Sequence, residues 1–230
     1  ENRLDQLEKE IRYCFRDKLL LRQALTHSSF SNEQKINRYH DYERLEFLGD
    51  AVLELVSSDY IFHENLQMSE GEMTKRRSSI VCEPALAFCA RQIGLEQYIL
   101  LGKGEEATGG RKRDSIVSDV MEAVIGAIYL DSGIGEARKY IERFILSDLE
   151  HKQLFYDAKT ILQEEVQKEE CGVLRYELIR EEGPEHDKKF VVEVLVGEKR
   201  VGTGTGHSKK AAEQQAAYAA LMRWKDLKYK

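Results

Sequence analysis

ERLEFLGDAVLELV, residues 43–56, carries acids at Glu43, Glu46, Asp50 and Glu54 within a run that is otherwise apolar but for Arg44. On a helix the last three, four residues apart, form one slowly drifting acidic stripe that Glu43 begins. Leu45, Phe47, Leu48, Ala51, Val52, Leu53 and Leu55 cover most of the remaining circumference, the pattern of a largely buried helix. Like charges at that spacing repel, and a buried carboxylate without a partner is expensive. Something positive is therefore expected to face the stripe.

A second stretch sharpens that expectation. In SIVSDVMEAVIGAIYLDSG, residues 115–133, Asp119 and Glu122 are the only charges between Ser115 and Leu130. They are three apart and share a helix face, while Val117, Val120, Met121, Val124, Ile125 and Ile128 make the helix apolar nearly all round. Each stretch also holds a glycine that permits close approach, Gly49 and Gly126, so the two acid pairs are expected to face one another. Four converging carboxylates raise each other's pKa unless cations occupy the gap. All-oxygen ligation selects a hard ion, Mg²⁺ or Mn²⁺, and such a site suits phosphodiester hydrolysis. The alternative is a helix pair whose acids are met by Lys or Arg from elsewhere in the chain.

Outward from these two stretches the apolar spacing is helical from residue 4 to about 150. It runs through DKLLLRQAL, then about 36–63, 69–93, 114–130 and 135–150. Ser69 and Glu72 form a capping box at the start of the 69–93 run, which gives Glu72 a structural role. After His151 the period changes. RYELIR, FVVEVLV and RVGTGT read as short strands separated by EEGPEHD and GEK, with helices at about 158–170 and 208–224. The expected architecture is an all-α domain over residues 1–152, then a small α+β domain of order α-β-β-β-α over 157–226, the boundary resting on the change of period alone.

Composition bounds the function. The 230 residues suffice for one or two domains with cores of their own. No apolar run approaches a membrane span, and the acidic start ENRLDQLEKE leads into no apolar segment, so a soluble, cytoplasmic protein without membrane association is expected. Cys14, Cys82, Cys89 and Cys171 show no CxxC spacing and read as reduced thiols. The net charge of -6 argues against a nucleic-acid partner, but its distribution does not: residues 186–230 hold 10 basic and 5 acidic residues. In GTGHSKKAAEQQAAYAALMRW, Ser208 is placed to N-cap the last helix, with Lys209 and Lys210 in its first turn. Cations there oppose the helix dipole unless an anion, naturally a phosphate, binds the free N–H groups. LGKGEEATGG, residues 101–110, lacks the GK[ST] ending of a phosphate loop and reads as a mobile surface loop, so no nucleotide cofactor is expected. The dipeptide His40-Asp41 raises a different helical metal phosphohydrolase, but His27 and His63 offer no pattern to complete such a site.

ERLEFLGDA resembles the signature of the ribonuclease III family of double-strand-specific endoribonucleases, and SDVMEAVIGAIYLDSG is similar to its second acidic motif. AKTILQEEVQ, GPEHDKKF and GHSKKAAEQQAA resemble the three RNA-contacting regions of a double-stranded RNA-binding domain. The resemblance implies an all-α nuclease domain followed by that α+β domain. It also implies a metal cluster of Glu46, Asp50, Asp119 and Glu122, with Asp50 and Glu122 most directly tied to hydrolysis and Glu43 in support. It further implies a homodimer placing two sites across one RNA duplex, and products with 5′-phosphate and 3′-hydroxyl ends and short 3′ overhangs; the implied role is processing of ribosomal RNA precursors. For the second domain it assigns Thr160, Gln163, Glu164 and Gln167 to one minor groove, His186 to the next, and Ser208, Lys209 and Lys210 to phosphates across the major groove between them. His207 stands where a basic residue is common, and Lys75-Arg76-Arg77 with Arg111-Lys112-Arg113 are candidates to offset the acidic first domain, each equally well read as a solvated helix start.

Overall fold

In the first unit of the chain, Glu1–Leu149, the helical periodicity becomes α1 (Arg3–Glu10), α2 (Lys18–Ala24), α3 (Ser28–Glu33), α4 (Glu43–Glu64), α5 (Glu70–Val81), α6 (Glu83–Gln92), α7 (Lys103–Ala107), α8 (Asp114–Ser132) and α9 (Ile134–Ile141). The structure is a computed structural model and describes residues 3–35, 40–64, 66–149, 152, 157–169, 172–183, 188–206 and 208–228. Local chemistry starts the helices where expected. Asp17 accepts the N–H of Leu19 to cap α2, and Ser69 and Glu72 complete the reciprocal capping box of α5. The single 69–93 run divides into α5 and α6 because Pro84 has no N–H to continue the ladder and its ring crowds the preceding turn.

Helix α8 is the axis of this unit, with every residue from Val120 to Ile128 except Glu122 fully buried. Helix α4 lies against it at backbone contact. A Cβ built on Gly49 would sit 1.8 Å from the carbonyl oxygen of Glu122, and one on Gly126 2.2 Å from that of Leu45. The expected close approach is therefore present. The expected burial of most of the apolar circumference of α4 is not. Leu45, Val52, Leu53, Val56 and Ile61 enter the core, but Phe47 is 82% exposed and Leu55 and Phe62 are 59% and 58% exposed. An apolar circumference looks the same whether one face or two are covered within the chain, and here α8 covers one.

Residues 101–110 also depart from the expected mobile loop. They contain α7, which is held by the Gly102 N–H to Ser29 Oγ (2.9 Å) and the Gly104 N–H to Glu33 Oε1 (3.3 Å). Arg111 pins the same region by donating to the carbonyls of Glu96 (2.7 Å) and Ile99 (2.9 Å).

The second unit, Glu150–Lys230, contains α10 (Ala158–Lys168), β1 (Leu174–Glu182), β2 (Lys189–Val196), β3 (Lys199–Gly206) and α11 (Lys209–Lys228), the α-β-β-β-α order expected. The strands form an antiparallel sheet in the order β1-β2-β3, with Leu178 opposite Val192 and Val192 opposite Gly204. Its core joins Leu162 and Val166 of α10, Val192 and Val194 of β2, and Ala212, Ala216 and Ala220 of α11. The alanine stripe lies directly on β3, where a Cβ on Gly204 would meet the Ala212 carbonyl oxygen at 2.3 Å.

Candidate metal centre

Glu46 on α4 and Asp119 and Glu122 on α8 each offer a carboxylate oxygen, and the three oxygens lie within 4.8 Å of one another. This is the meeting the two sequence stretches suggested, for three of the four acids, produced by the i,i+3 spacing on α8 and the glycine contact beside it. Asp50, one turn beyond Glu46, is exposed and stands outside this group of three, yet its charge acts on both glutamates. Glu43 is exposed at the start of α4 and also repels Glu46. Glu54 leaves the stripe for an ion pair with Arg77 at 2.7 Å.

Burial, followed by the charges of Asp119, Glu43 and Asp50, pushes the Glu46 carboxyl up to about 7. Burial and then Asp50, Glu46 and Asp119 push Glu122 up to about 8. Asp119 is raised chiefly by burial, against the opposing effect of a hydrogen bond from Tyr42. Among the described residues no Lys or Arg pairs with Glu46, Asp50, Asp119 or Glu122, so the alternative of internal salt bridges finds no support there. An all-oxygen, partly buried, mutually repelling set fits a hard divalent cation. No group containing His40 and Asp41 competes with it among the described residues.

Two neighbours were not among the expected site residues. Tyr42, directly before α4, is buried and donates to Asp119 Oδ2 at 3.3 Å. Glu83, at the start of α6, adds a further negative charge near Asp119. Tyr42 adjoins the acidic signature, which was the available signal; Glu83 comes from a distant helix with no pattern to link it.

In the second unit Thr160, Gln163, Glu164 and Gln167 share the exposed face of α10, opposite the buried Ala158, Leu162 and Val166. Ser208 Oγ accepts the Ala211 N–H at 3.1 Å, the N-cap expected, and Lys209 and Lys210 are exposed in the first turn of α11. His186 and His207 lie outside the described residues.

Residues 17–149 match the family described as Ribonuclease-III-like, and residues 158–223 match the Double-stranded RNA binding motif. The chain belongs to the ribonuclease III family. It is 48% identical over 220 residues to Ribonuclease 3 of Halalkalibacterium halodurans, covering 95% of this chain and 84% of that protein. Ribonuclease 3 of Caldanaerobacter subterraneus subsp. tengcongensis is 48% identical over 221 residues, 95% of this chain and 96% of that protein. Among solved structures, the nuclease domain of ribonuclease III from Campylobacter jejuni is 42% identical, with a TM-score of 0.58, covering 62% of this chain and 95% of that one. As a ribonuclease III the chain is a double-strand-specific RNA endonuclease of a metal-dependent family, with a double-stranded RNA-binding domain after its helical nuclease domain. Among the described residues no helix is long and apolar enough to cross a membrane.

For a ribonuclease III the basic triplets of the first unit are less available than their sequence suggests. Arg76 pairs with Glu64 at 2.8 Å, Arg77 with Glu54, Arg113 with Glu105 at 2.7 Å, and Arg111 with Glu106. These four arginines secure helices and the 95–113 region instead of presenting unpaired charge.

Proposed function

We propose that the chain cuts double-stranded RNA with Mg²⁺, for which Mn²⁺ substitutes, held by Glu46, Asp50, Asp119 and Glu122. The products carry 5′-phosphate and 3′-hydroxyl ends with short 3′ overhangs, and precursors of ribosomal RNA are among the structured substrates cut in the cytoplasm. The supporting observation is the group of three carboxylates between α4 and α8 with raised pKa values and no described cationic partner. When bound, the cation supplies Lewis-acid stabilisation of the phosphoryl oxygens and acidifies the attacking water. Glu46, Asp119 and Glu122, whose carboxylate oxygens lie within 4.8 Å of one another, would hold the ion with Asp50. Asp50, exposed beside them, adds a charge that repels both Glu46 and Glu122 until a cation offsets it, and with Glu122 is the residue most directly tied to hydrolysis, while Glu43 adds negative potential at the rim. Incubating a long perfect RNA duplex with Mg²⁺, then with excess chelator, tests this. Metal-dependent cutting to short duplexes with 5′-phosphates is the expected result; shifted but uncut RNA under both conditions would overturn it.

Binding is assigned to the second unit, where shape and 2′-hydroxyls in the shallow minor grooves of A-form RNA are read by Thr160, Gln163, Glu164 and Gln167, with His186 in the next groove. Ser208, Lys209 and Lys210 take phosphates at the start of α11. Replacing Lys209 and Lys210 by Ala together is expected to weaken duplex binding and to flatten the log-affinity against log-salt plot by roughly two phosphate contacts' worth. A slope equal to that of the unsubstituted protein in filter binding would rule out those phosphate contacts.

The homodimer is proposed to form through α4. Phe47, Leu55 and Phe62 make an exposed apolar stripe on the helix that carries the acids, and large exposed apolar patches mark protein contacts. Phe47→Asp is expected to give a monomer by light scattering and to remove coupled cutting of both strands. A variant that stays dimeric would place the contact elsewhere.

A further inference from the structure

Tyr42 is bonded to both helices of the site. Its backbone carbonyl accepts the N–H groups of Leu45 (2.8 Å) and Glu46 (2.9 Å), so it begins the helix that carries Glu46. Its own N–H donates to the Thr26 carbonyl at 2.9 Å, and its ring meets His27 edge-on with centroids 5.6 Å apart. His27 is in turn fixed by accepting the Ser29 N–H at Nδ1, 3.1 Å away. From this anchored position the hydroxyl reaches Asp119 Oδ2 at 3.3 Å, longer than the about 2.5–3.0 Å usual for such a bond. Tyr42 is 4% exposed, so its hydroxyl has little water to turn to instead.

We propose that Tyr42 is a positioning residue of the metal centre, fixing the Asp119 carboxylate of α8 relative to the α4 backbone that carries Glu46. An ionised carboxylate has about four acceptor sites. Accepting one hydroxyl therefore holds its rotamer and leaves it able to take a metal ion. Partners that orient metal ligands in this way contribute strongly to affinity. The proposal rests on the carboxylate metal site proposed above.

The test is Tyr42→Phe in the full chain, which keeps the ring, its packing and all the backbone bonds and removes only the hydroxyl. Mn²⁺ binding is measured by electron paramagnetic resonance without RNA, below the onset of either melting curve, with Glu122→Gln defining site-specific uptake. The variant is expected to bind Mn²⁺ roughly tenfold more weakly. Its cleavage should need correspondingly more Mg²⁺, and its binding of duplex RNA in chelator should be unchanged. Mn²⁺ affinity equal to that of the unsubstituted protein overturns the positioning role. So does lost cleavage at saturating Mg²⁺ with metal affinity intact, which would bring the hydroxyl to the reacting atoms instead. If the unsubstituted protein takes up no Mn²⁺ that Glu122→Gln removes, the metal site itself fails and Tyr42 has nothing to position.

Discussion

Glu122→Gln is expected to lower Mg²⁺-dependent cleavage of duplex RNA by roughly three orders of magnitude or more, and yet to raise the melting temperature of the metal-free protein at pH 8. The first effect follows from removing a proposed charged ligand whose neighbours are already arranged around it. The second follows from the cost of keeping that charge partly buried among other acids. In the fold the Glu122 carboxyl is pushed from its ordinary 4.5 up to about 8, by burial first and then by Asp50, Glu46 and Asp119. A folded-state value above the unfolded one gives stability that is complete below about pH 4.5 and is lost as pH rises through about 8. Glutamine has no such loss, so the gain in melting temperature should be widest near pH 8 and close as pH falls toward 5. Adding Mg²⁺ should stabilise the unsubstituted protein by mass action and leave the variant unmoved, narrowing or reversing the order. Duplex affinity in chelator should stay the same, because the groups assigned to binding lie in the other unit. Asp50→Asn should lose cleavage likewise, since Asp50 is proposed to hold the metal with Glu122, on which its charge has the largest effect after burial. Calorimetric melts across pH with and without Mg²⁺ check the argument, and a metal-free Glu122→Gln protein less stable at pH 8 would break it.

The two acid pairs could be read from sequence because side-chain direction on a helix follows from spacing alone, and their meeting could be inferred because Gly49 and Gly126 made room for it. What spacing could not divide was the stripe itself. Glu54 and Glu46 look alike along the helix, and only the packing of α5 brings Arg77 to Glu54 and leaves Glu46 to Asp119 and Glu122. Phe47 was misjudged for a similar reason, since apolarity marks a face for covering without naming what covers it. The short helices α3 and α7 have fewer turns than periodicity needs, and the hydrogen bonds between them link residues some seventy apart. Arg76, Arg77, Arg111 and Arg113 read as available charge because their acid partners are supplied by tertiary contact or by the turn before them. The second unit was read more completely. Its strands alternate between faces, its last helix carries a small-residue stripe, and its four assigned residues on α10 follow one helical face.

Gly49→Ala is expected to be the most damaging Gly→Ala change among the described glycines. Alanine normally favours a helix over glycine by about 1 kcal/mol, so from local propensity alone the substitution within α4 should stabilise. Here the new Cβ would lie 1.8 Å from the Glu122 carbonyl oxygen and 2.6 Å from its carbonyl carbon. Those are backbone atoms of a fully packed helix, and no rotamer change moves them aside. The helices must separate, which costs roughly 3 kcal/mol or more by the measure of overpacked cores, or on the order of 10 °C in melting temperature for a domain of this size. Because the point of collision is Glu122, whose carboxylate belongs to the proposed metal site, separation also draws Glu122 and Asp119 away from Glu46. Mn²⁺ uptake and cleavage should therefore fall together with stability, unlike Glu122→Gln, where they fall as stability rises. Gly71→Ala and Gly135→Ala provide the contrast: both lie in helices, and a Cβ on either meets nothing within 4 Å. Both should leave metal uptake intact and leave stability unchanged or slightly raised. Melting curves and Mn²⁺ binding on the three variants decide the matter. A Gly49→Ala protein that melts with the other two would mean that α4 and α8 can separate at little cost, and that their glycine contact does not set the spacing of the carboxylates.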